Sequence, residues 1–422
     1  MPAIDARQCD VAIIGAGIVG LAVGLQMVRK HPGVKIVVLD KERQVASHQT
    51  GHNSGVIHSG MYYNPGSLKA RLCVEGRAAM VRFCEEHSIP IDLCGKVIVA
   101  TEESEIPGLN ELLRRGRANG VSGLRELNTG QIREIEPHAS GIRGIHVPTT
   151  GITDFRMVAA KYAELIARSG GEILTGHGVV AARRETGAIV LKTARGAVHA
   201  RFAVNCAGLD SDRVARMTGA QLDLRIVPFR GEYYELVPTR QHLIRGLVYP
   251  VADPRFPFLG VHFTRRIGGG VEAGPNAVLS FKREGYTRTS FNLADTLSTV
   301  LFPGFWKMAA RHWKSGAGEM YRSWNKSAFT RALQKLLPAL TEQDLQPGGS
   351  GVRAQALDNS GKLLDDFHFA YQDRILHVCN VPSPAATASL AIGNEIVLKL
   401  EENADFKRVQ VAMEREVPPL HS

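Results

Sequence analysis

The stretch DVAIIGAGIVG, residues 10–20, constrains this chain more than any other. A β-branched run, Val11 to Ile14, leads directly into Gly15, Gly17 and Gly20, and LAVGLQMVRK follows with the character of a helix. Strand, tight turn and helix in that order open a dinucleotide-binding βαβ unit. The first glycine permits the turn, the second lets a pyrophosphate approach the backbone, and the third packs helix on strand, so that the helix N-terminus faces the phosphates. The next apolar run, KIVVLD, ends at Asp40, twenty residues after Gly20, where a carboxylate would accept hydrogen bonds from a ribose. Residues 11–28 hold only Gln26 as a polar side chain and could pass for a membrane span, but the glycine pattern and the acid argue for a nucleotide fold. Ile18, Val19 and Lys41 join the expected lining.

Two later segments repeat the pattern of a strand that ends in small residues. RFAVNCAGLDSD (201–212) reaches Ala207 and Gly208 beside a helix start at Asp210 or Ser211. RILHVCNVPSPAATASLAIGNEIVLKL (374–400) gives strand, turn and helix, with Pro384, Ala385, Ala386 and Thr387 supplying backbone amides near the helix N-terminus. Both suit close approach by a large flat ligand, and Val179 is placed with them. A dinucleotide contacted from segments this scattered is read as FAD rather than NAD.

HQTGHNSGVIHSGMYYNP (48–65) carries three histidines, and His48 and His52 lie four apart, as two metal ligands on a helical turn would. HQTGH lacks the acid of HExxH, however, and Gly51 and Gly55 interrupt a helix, so no metal site is expected. Following Asp40 by eight residues, the segment reads as a cofactor loop, with Thr50, His52, Asn53 and Ser54 as hydrogen-bonding partners and His58 as a catalytic suspect.

At 422 residues two domains are the natural expectation. A formal charge of +10 admits anionic partners, but the Lys and Arg residues are mostly dispersed and no zinc-finger, RNP or helix-turn-helix signature appears, so nucleic acid is set aside. The six cysteines show no CxxC spacing, which suggests reduced thiols. The opening MPAIDARQCD lacks the basic flank of a signal peptide, and Asp5 and Asp10 argue against a transit peptide; a cytoplasmic protein is expected.

GAGIVG, NSGVIHSGMYY, NCAGLDSD, PFRGEYYEL, YPVADPRFPFLGVHFTRRIGGGVEAGPNAVLSFKREGY, GVRAQALD and SPAATASLAIG together resemble the L-2-hydroxyglutarate oxidase/dehydrogenase family, within the D-amino-acid-oxidase-like FAD superfamily. The resemblance spans residues 10 to 400, and HQTGHNSGVIHSG and GPNAVL are its most specific parts. It implies an α/β fold: a Rossmann-like FAD-binding domain interleaved with an α+β substrate domain built on a large mixed sheet. It implies oxidation of (S)-2-hydroxyglutarate to 2-oxoglutarate, with electrons passing to quinone or oxygen. The dispersed motifs place the FAD domain at 1–95, 140–218 and 346–405, and the substrate domain at 96–139 and 219–345.

Oxidising a 2-hydroxy acid moves a hydride from Cα to flavin N5 while a base takes the hydroxyl proton and the substrate is clamped. A dianionic substrate calls for guanidinium groups, and Arg353 in GVRAQ is the first candidate, since related oxidases place an arginine near this point; Arg230 in PFRGEYY is a weaker one. His58 and His262 compete as base, with His58 preferred because Gly60 lets it approach the cofactor. Tyr249, Tyr63 and Thr264 are secondary polar candidates. Oxidation of an amino acid or of glycerol 3-phosphate is the alternative within the superfamily, and a flavin electron-relay subunit is the alternative outside it.

All three tryptophans fall in 302–340. There Phe302, Phe305, Trp306, Ala309, Ala310 and Trp313 repeat at helical spacing, opposite Lys307, Arg311 and Lys314. Residues 302–337 carry seven Lys/Arg against Glu319 alone. Such a basic amphipathic segment suits either packing on the substrate domain or peripheral contact with the cytoplasmic face of an inner membrane.

Overall fold

The computed structural model describes residues 6–252 and 259–407. The chain divides into two compact units, each built from separated segments. Met1–Gly51, Phe155–Ile226 and Phe367–Ser422 form the first, and His52–Asp154 and Val227–Asp366 the second.

Strand β1 (Ala6–Ile14), helix α1 (Ile18–Lys30) and strand β2 (Ile36–Leu39) open the first unit. Its sheet is parallel in the order Ile375–Asn380, Gly196–Asn205, β1, β2, Glu172–Leu174. His368–Gln372 adds an antiparallel edge, and Val179–Glu185 and Ala188–Thr193 extend the sheet from the first half of Gly196–Asn205. Strands buried on both faces read as continuous apolar runs, and Val11, Ala12 and Ile13 have no exposed surface. α1 is enclosed as well: a Cβ at Gly393 in helix Ser389–Glu401 would lie 2.7 Å from the Ala22 backbone. Full burial of Leu21 and Leu25 contributes about 1.5–3 kcal/mol each. The apolar stretch 11–28 is thus a buried strand followed by a buried helix. Among the described residues no helix is long and apolar enough to cross a membrane.

Among the described residues the second unit holds a nine-stranded mixed sheet. Its main path runs Val278–Leu279, Leu224–Leu236, Val271–Gly274, His262–Arg265, Leu247–Pro250, Lys96–Ala100, Arg143–Val147, Arg125–Asn128, and Leu345–Asp358 pairs with Leu224–Leu236. Side chains alternate between its faces. Val97, Val99, Val248, Phe263, Val271 and Ala273 point to one face, where Phe329, Leu333 and Leu337 cover them. Ile98, Ala100, Leu247 and Tyr249 point to the other, which Leu109, Leu112 and Leu113 of helix Ile106–Ala118 cover in part.

The boundaries differ from the expected ones at 95, 140, 218 and 346. Residues 52–95, 140–154 and 346–366 belong to the second unit, and 219–226 to the first. Pairing explains the difference. Val56–Ile57 and Ile91–Asp92 both pair with Gly151–Thr153, and the Asp366 carboxylate accepts the Leu68 and Lys69 N–H groups at the start of helix Leu68–Glu86.

The basic segment becomes helix Pro303–Trp324 followed by Lys326–Gln334. Its buried side is Phe305 and Met308, packed with Phe302, Val227, Phe229 and Leu357. Trp306 and Trp313 do not share that side as the spacing suggested: they stand 62% and 63% exposed.

Candidate active site

The first unit builds a nucleotide cradle from its glycines upward. Gly15 has φ +110°, and a Cβ there would collide with the Cys206 carbonyl, so the GAG turn and the NCAG loop touch backbone to backbone. A Cβ at Gly20 would collide with the Gly15 carbonyl, which leaves only glycine able to bring α1 against the turn. Gly17 is different. A Cβ there would meet only the Thr50 hydroxyl, at 3.5 Å, so that glycine clears space that the protein itself does not fill. Thr50 Oγ1 accepts the Ile18 N–H at 3.0 Å, and Val19 follows in the first turn, which contains no acidic residue. Asp40 accepts the Ala16 N–H at 2.6 Å and the Glu42 N–H at 2.8 Å, which pins its carboxylate beside the turn.

Lys41 donates to Asp210 at 2.8 Å, and a Cβ at Gly178 would lie 2.9 Å from the Lys41 side chain, so Val179 begins its strand close to Lys41. Ala207 donates its N–H to Asn205 Oδ1, and Gly208 turns with φ +54°. Pro384, Ala385, Ala386 and Thr387 form the turn before helix Ser389–Glu401, where Ala388 donates to the Pro384 carbonyl at 3.0 Å. A backbone approach, a helix N-terminus without a first-turn acid and a ribose-side carboxylate are the parts that FAD requires, and these residues fit it.

The three loop histidines separate. His48 pairs with Glu42 at 2.9 Å in the first unit. His52 stacks on Tyr286 at 4.0 Å in the second, Asn53 Oδ1 accepts the Gly55 N–H at 2.8 Å, and Ser54 completes that turn.

His58 belongs to a polar cluster on the second unit's sheet. Register explains the gathering. Thr264 lies opposite Leu247 and Glu272, and His262 opposite Gly274, while Lys96, Tyr249, His262, Thr264 and Glu272 alternate with core residues and share one face. The Tyr249 and His262 rings lie 3.9 Å apart. Lys96 Nζ sits 4.1 Å from the Tyr249 ring centre and 5.2 Å from that of Tyr62. His262 Nδ1 lies 2.8 Å from the Gly260 carbonyl; donating there leaves Nε2 as an acceptor. Arg353, on a strand that passes His52 at Gly351, bears electrostatically on His262 and Tyr233.

Burial, reinforced by Lys96 and Arg353, holds His262 down at about 3. Burial, then Lys96, His262 and Lys69, holds His58 well below the usual imidazole range, although its side chain keeps some surface. Burial lowers Lys96 to about 7 and raises Tyr62 and Tyr249. Glu272 is raised by burial while Arg266 pairs with one of its oxygens. Among the described residues, Tyr62 OH, Thr264 Oγ1 and Glu272 Oε2 are buried without a hydrogen-bond partner; the Thr264 hydroxyl neighbours the Tyr249 phenol but lacks hydrogen-bond geometry to it.

Arg230 departs from its expected part as a substrate clamp. Its guanidinium donates twice to Glu232, at 3.0 and 2.8 Å, and once to the Thr287 carbonyl. Asn276 and Ser323 hold the other Glu232 oxygen, so this buried arginine closes a structural network. An Arg and a Glu two apart on a strand share a face, which the sequence RGE already displayed. Lys96 was missed because KVIVA looks like an ordinary core strand; the signal available was a lysine in phase with Ile98 and Ala100.

The profile of the FAD-dependent oxidoreductase family matches residues 10–397. The L-2-hydroxyglutarate dehydrogenase of Indibacter alkaliphilus is 52% identical, covering 92% of this chain and 97% of that protein. The Escherichia coli K12 and human mitochondrial L-2-hydroxyglutarate dehydrogenases are each 45% identical, over 93% and 94% of this chain and 93% and 89% of theirs. Among solved structures, the FAD-bound L-α-glycerophosphate oxidase of Mycoplasma pneumoniae superposes with a TM-score of 0.77 at 20% identity, covering 94% of this chain and 96% of that one. A glycine oxidase from Geobacillus kaustophilus gives 0.70 at 18%, with the same coverage.

Proposed function

The chain belongs to the FAD-dependent oxidoreductases and, within them, to the L-2-hydroxyglutarate dehydrogenase family, and from that premise we propose that it oxidises L-2-hydroxyglutarate to 2-oxoglutarate. The observation that carries the substrate is identity of 45–52% along nearly the whole chain to dehydrogenases of that name. The polar cluster supplies parts suited to it. FAD, held by the first unit's glycine turn and Asp40, would supply the two-electron acceptor for the Cα hydride.

The protein's own residues have the remaining tasks. His262 takes the hydroxyl proton at Nε2, because the Gly260 carbonyl fixes the tautomer that leaves this nitrogen unprotonated. His58, held neutral beside it, orders the substrate hydroxyl, and Tyr249 and Thr264 line the same face. Arg353 holds a substrate carboxylate. The cations that depress His262 are those a dianion would neutralise, so binding substrate strengthens the base it needs. Anaerobic titration with each enantiomer tests this: the L form bleaches the flavin and the D form does not, and bleaching by neither overturns the substrate.

Electrons then pass to quinone or oxygen. Peripheral membrane contact suits a quinone and is supported by the outward side of helices Leu293–Val300 and Pro303–Trp324, where Leu293, Trp306, Trp313 and Trp324 are each more than 60% exposed beside basic residues.

A further inference from the structure

Lys96 contradicts the usual economy of a buried lysine. Its side chain is 2% exposed at the start of a central strand, yet among the described residues no carboxylate pairs with its ammonium. It rests instead on the faces of Tyr249 and Tyr62. Leaving a buried charge without a counter-ion is costly, and a sheet position in phase with Ile98 and Ala100 would accept an apolar side chain without that cost. Around it the Tyr62 and Thr264 hydroxyls have no hydrogen-bond partner, and His58 and His262 both lie within its electrostatic reach. An unpaired cation among unsatisfied donors is a site prepared for an anion.

We propose that Lys96 is a substrate-binding residue whose ammonium receives one carboxylate of the dianionic substrate, while Arg353 receives the other. The inference rests on the dicarboxylate reading above. It explains how a site with two cations selects a diacid over the monoacids that share the 2-hydroxy acid group: a monoacid engages only one of them.

The test compares the wild-type holoenzyme with Lys96→Met and Lys96→Gln, two variants of similar reach so that a folding failure in one leaves the other. Glutarate, a diacid with no hydroxyl to oxidise, is titrated against the oxidised flavin's absorbance, and KM and kcat are measured for L-2-hydroxyglutarate and L-2-hydroxypentanoate. The expected result is a glutarate Kd and an L-2-hydroxyglutarate KM raised about 100-fold, the size of losing one partner of a buried charge pair, with kcat lowered much less. Loss confined to the diacid places Lys96 on C5, and equal loss on the monoacid places it on C1; either supports the assignment. A glutarate Kd within about threefold of wild type, with activity lost through kcat alone, overturns it, as does wild-type enzyme that binds no glutarate. Wild type that binds glutarate but is not reduced by L-2-hydroxyglutarate sinks the substrate reading instead, and the glutarate comparison still judges Lys96.

Discussion

His262 and Lys96 show how burial sets chemistry at single residues. Because burial depresses His262 to about 3, its imidazole is already neutral at pH 5 in the free enzyme, and burial shifts His58 in the same direction. The kcat/KM profile therefore lacks an acid limb near 6.5; such a limb, lost in His262→Gln, would refute the neutral-base picture. His262→Gln itself lowers kcat about 100- to 10,000-fold with a smaller change in KM. Lys96 works in the other direction. Its ammonium is present below about 7 and lost above, so kcat/KM for the diacid falls about tenfold per pH unit beyond that point, and Lys96→Met abolishes the limb. Tyr62, Tyr249, His58, His262, Cys73 and Cys94 face it, and burial raises the tyrosines and thiols, so none of them supplies a negative charge there at neutral pH. The same shift has a stability consequence. Between about 7 and 10.5 the unfolded chain binds the proton that the folded chain has released, so this group makes stability rise with pH across that window. Lys96→Met consequently leaves Tm equal or higher near pH 7, whereas a structurally needed lysine would lower it.

At the scale of elements, the two later fingerprint glycines do different things. Gly20→Ala forces a methyl into the Gly15 carbonyl and separates α1 from β1, so the protein loses both fold and flavin. Gly17→Ala meets only the Thr50 hydroxyl at 3.5 Å, so the apoprotein folds with near-wild-type Tm while the flavin-to-protein absorbance ratio drops. A Gly17→Ala protein that keeps the wild-type flavin ratio would mean that the Gly17 side is not where the pyrophosphate lies. Helix Pro303–Trp324 divides similarly into a holding side and a presenting side. Phe305→Ala empties a core position and costs about 3 kcal/mol or more, but Trp313→Ala changes stability by within about 0.5 kcal/mol. The Trp306→Ala, Trp313→Ala pair should reduce co-sedimentation with anionic liposomes, and unaltered partitioning removes the membrane proposal. The 3.6 period was legible in this segment, but its orientation was not. Phe305, Trp306 and Trp313 are equally apolar in sequence, and only Phe229, Val227 and Leu357, from distant strands, decide which of them is covered.

For the whole molecule, FAD acts as a folding ligand for whichever state contains its cradle. Saturation at 1,000 times Kd adds about 4 kcal/mol to that state, so stripped protein melts below the holoenzyme and recovers on adding FAD. The nucleotide half was readable from sequence because its requirements are local. A glycine that must adopt φ +110°, a run buried on both faces and an acid after the second strand are each set within about thirty residues. Arg353, His58, His262, Tyr249 and Thr264 are also legible in the sequence as members of motifs, but their mutual arrangement is not. Tertiary structure decided the rest, since it depends on strand pairing between remote segments. Register put Lys96 on the same face as Tyr249 and His262, and assigned residues 52–95 to the second unit through strands that pair with Gly151–Thr153. A one-residue slip in any of those ladders would turn the polar face into the core, so alternation within one strand, visible in the sequence, acquires chemical meaning only once the neighbouring strands are fixed.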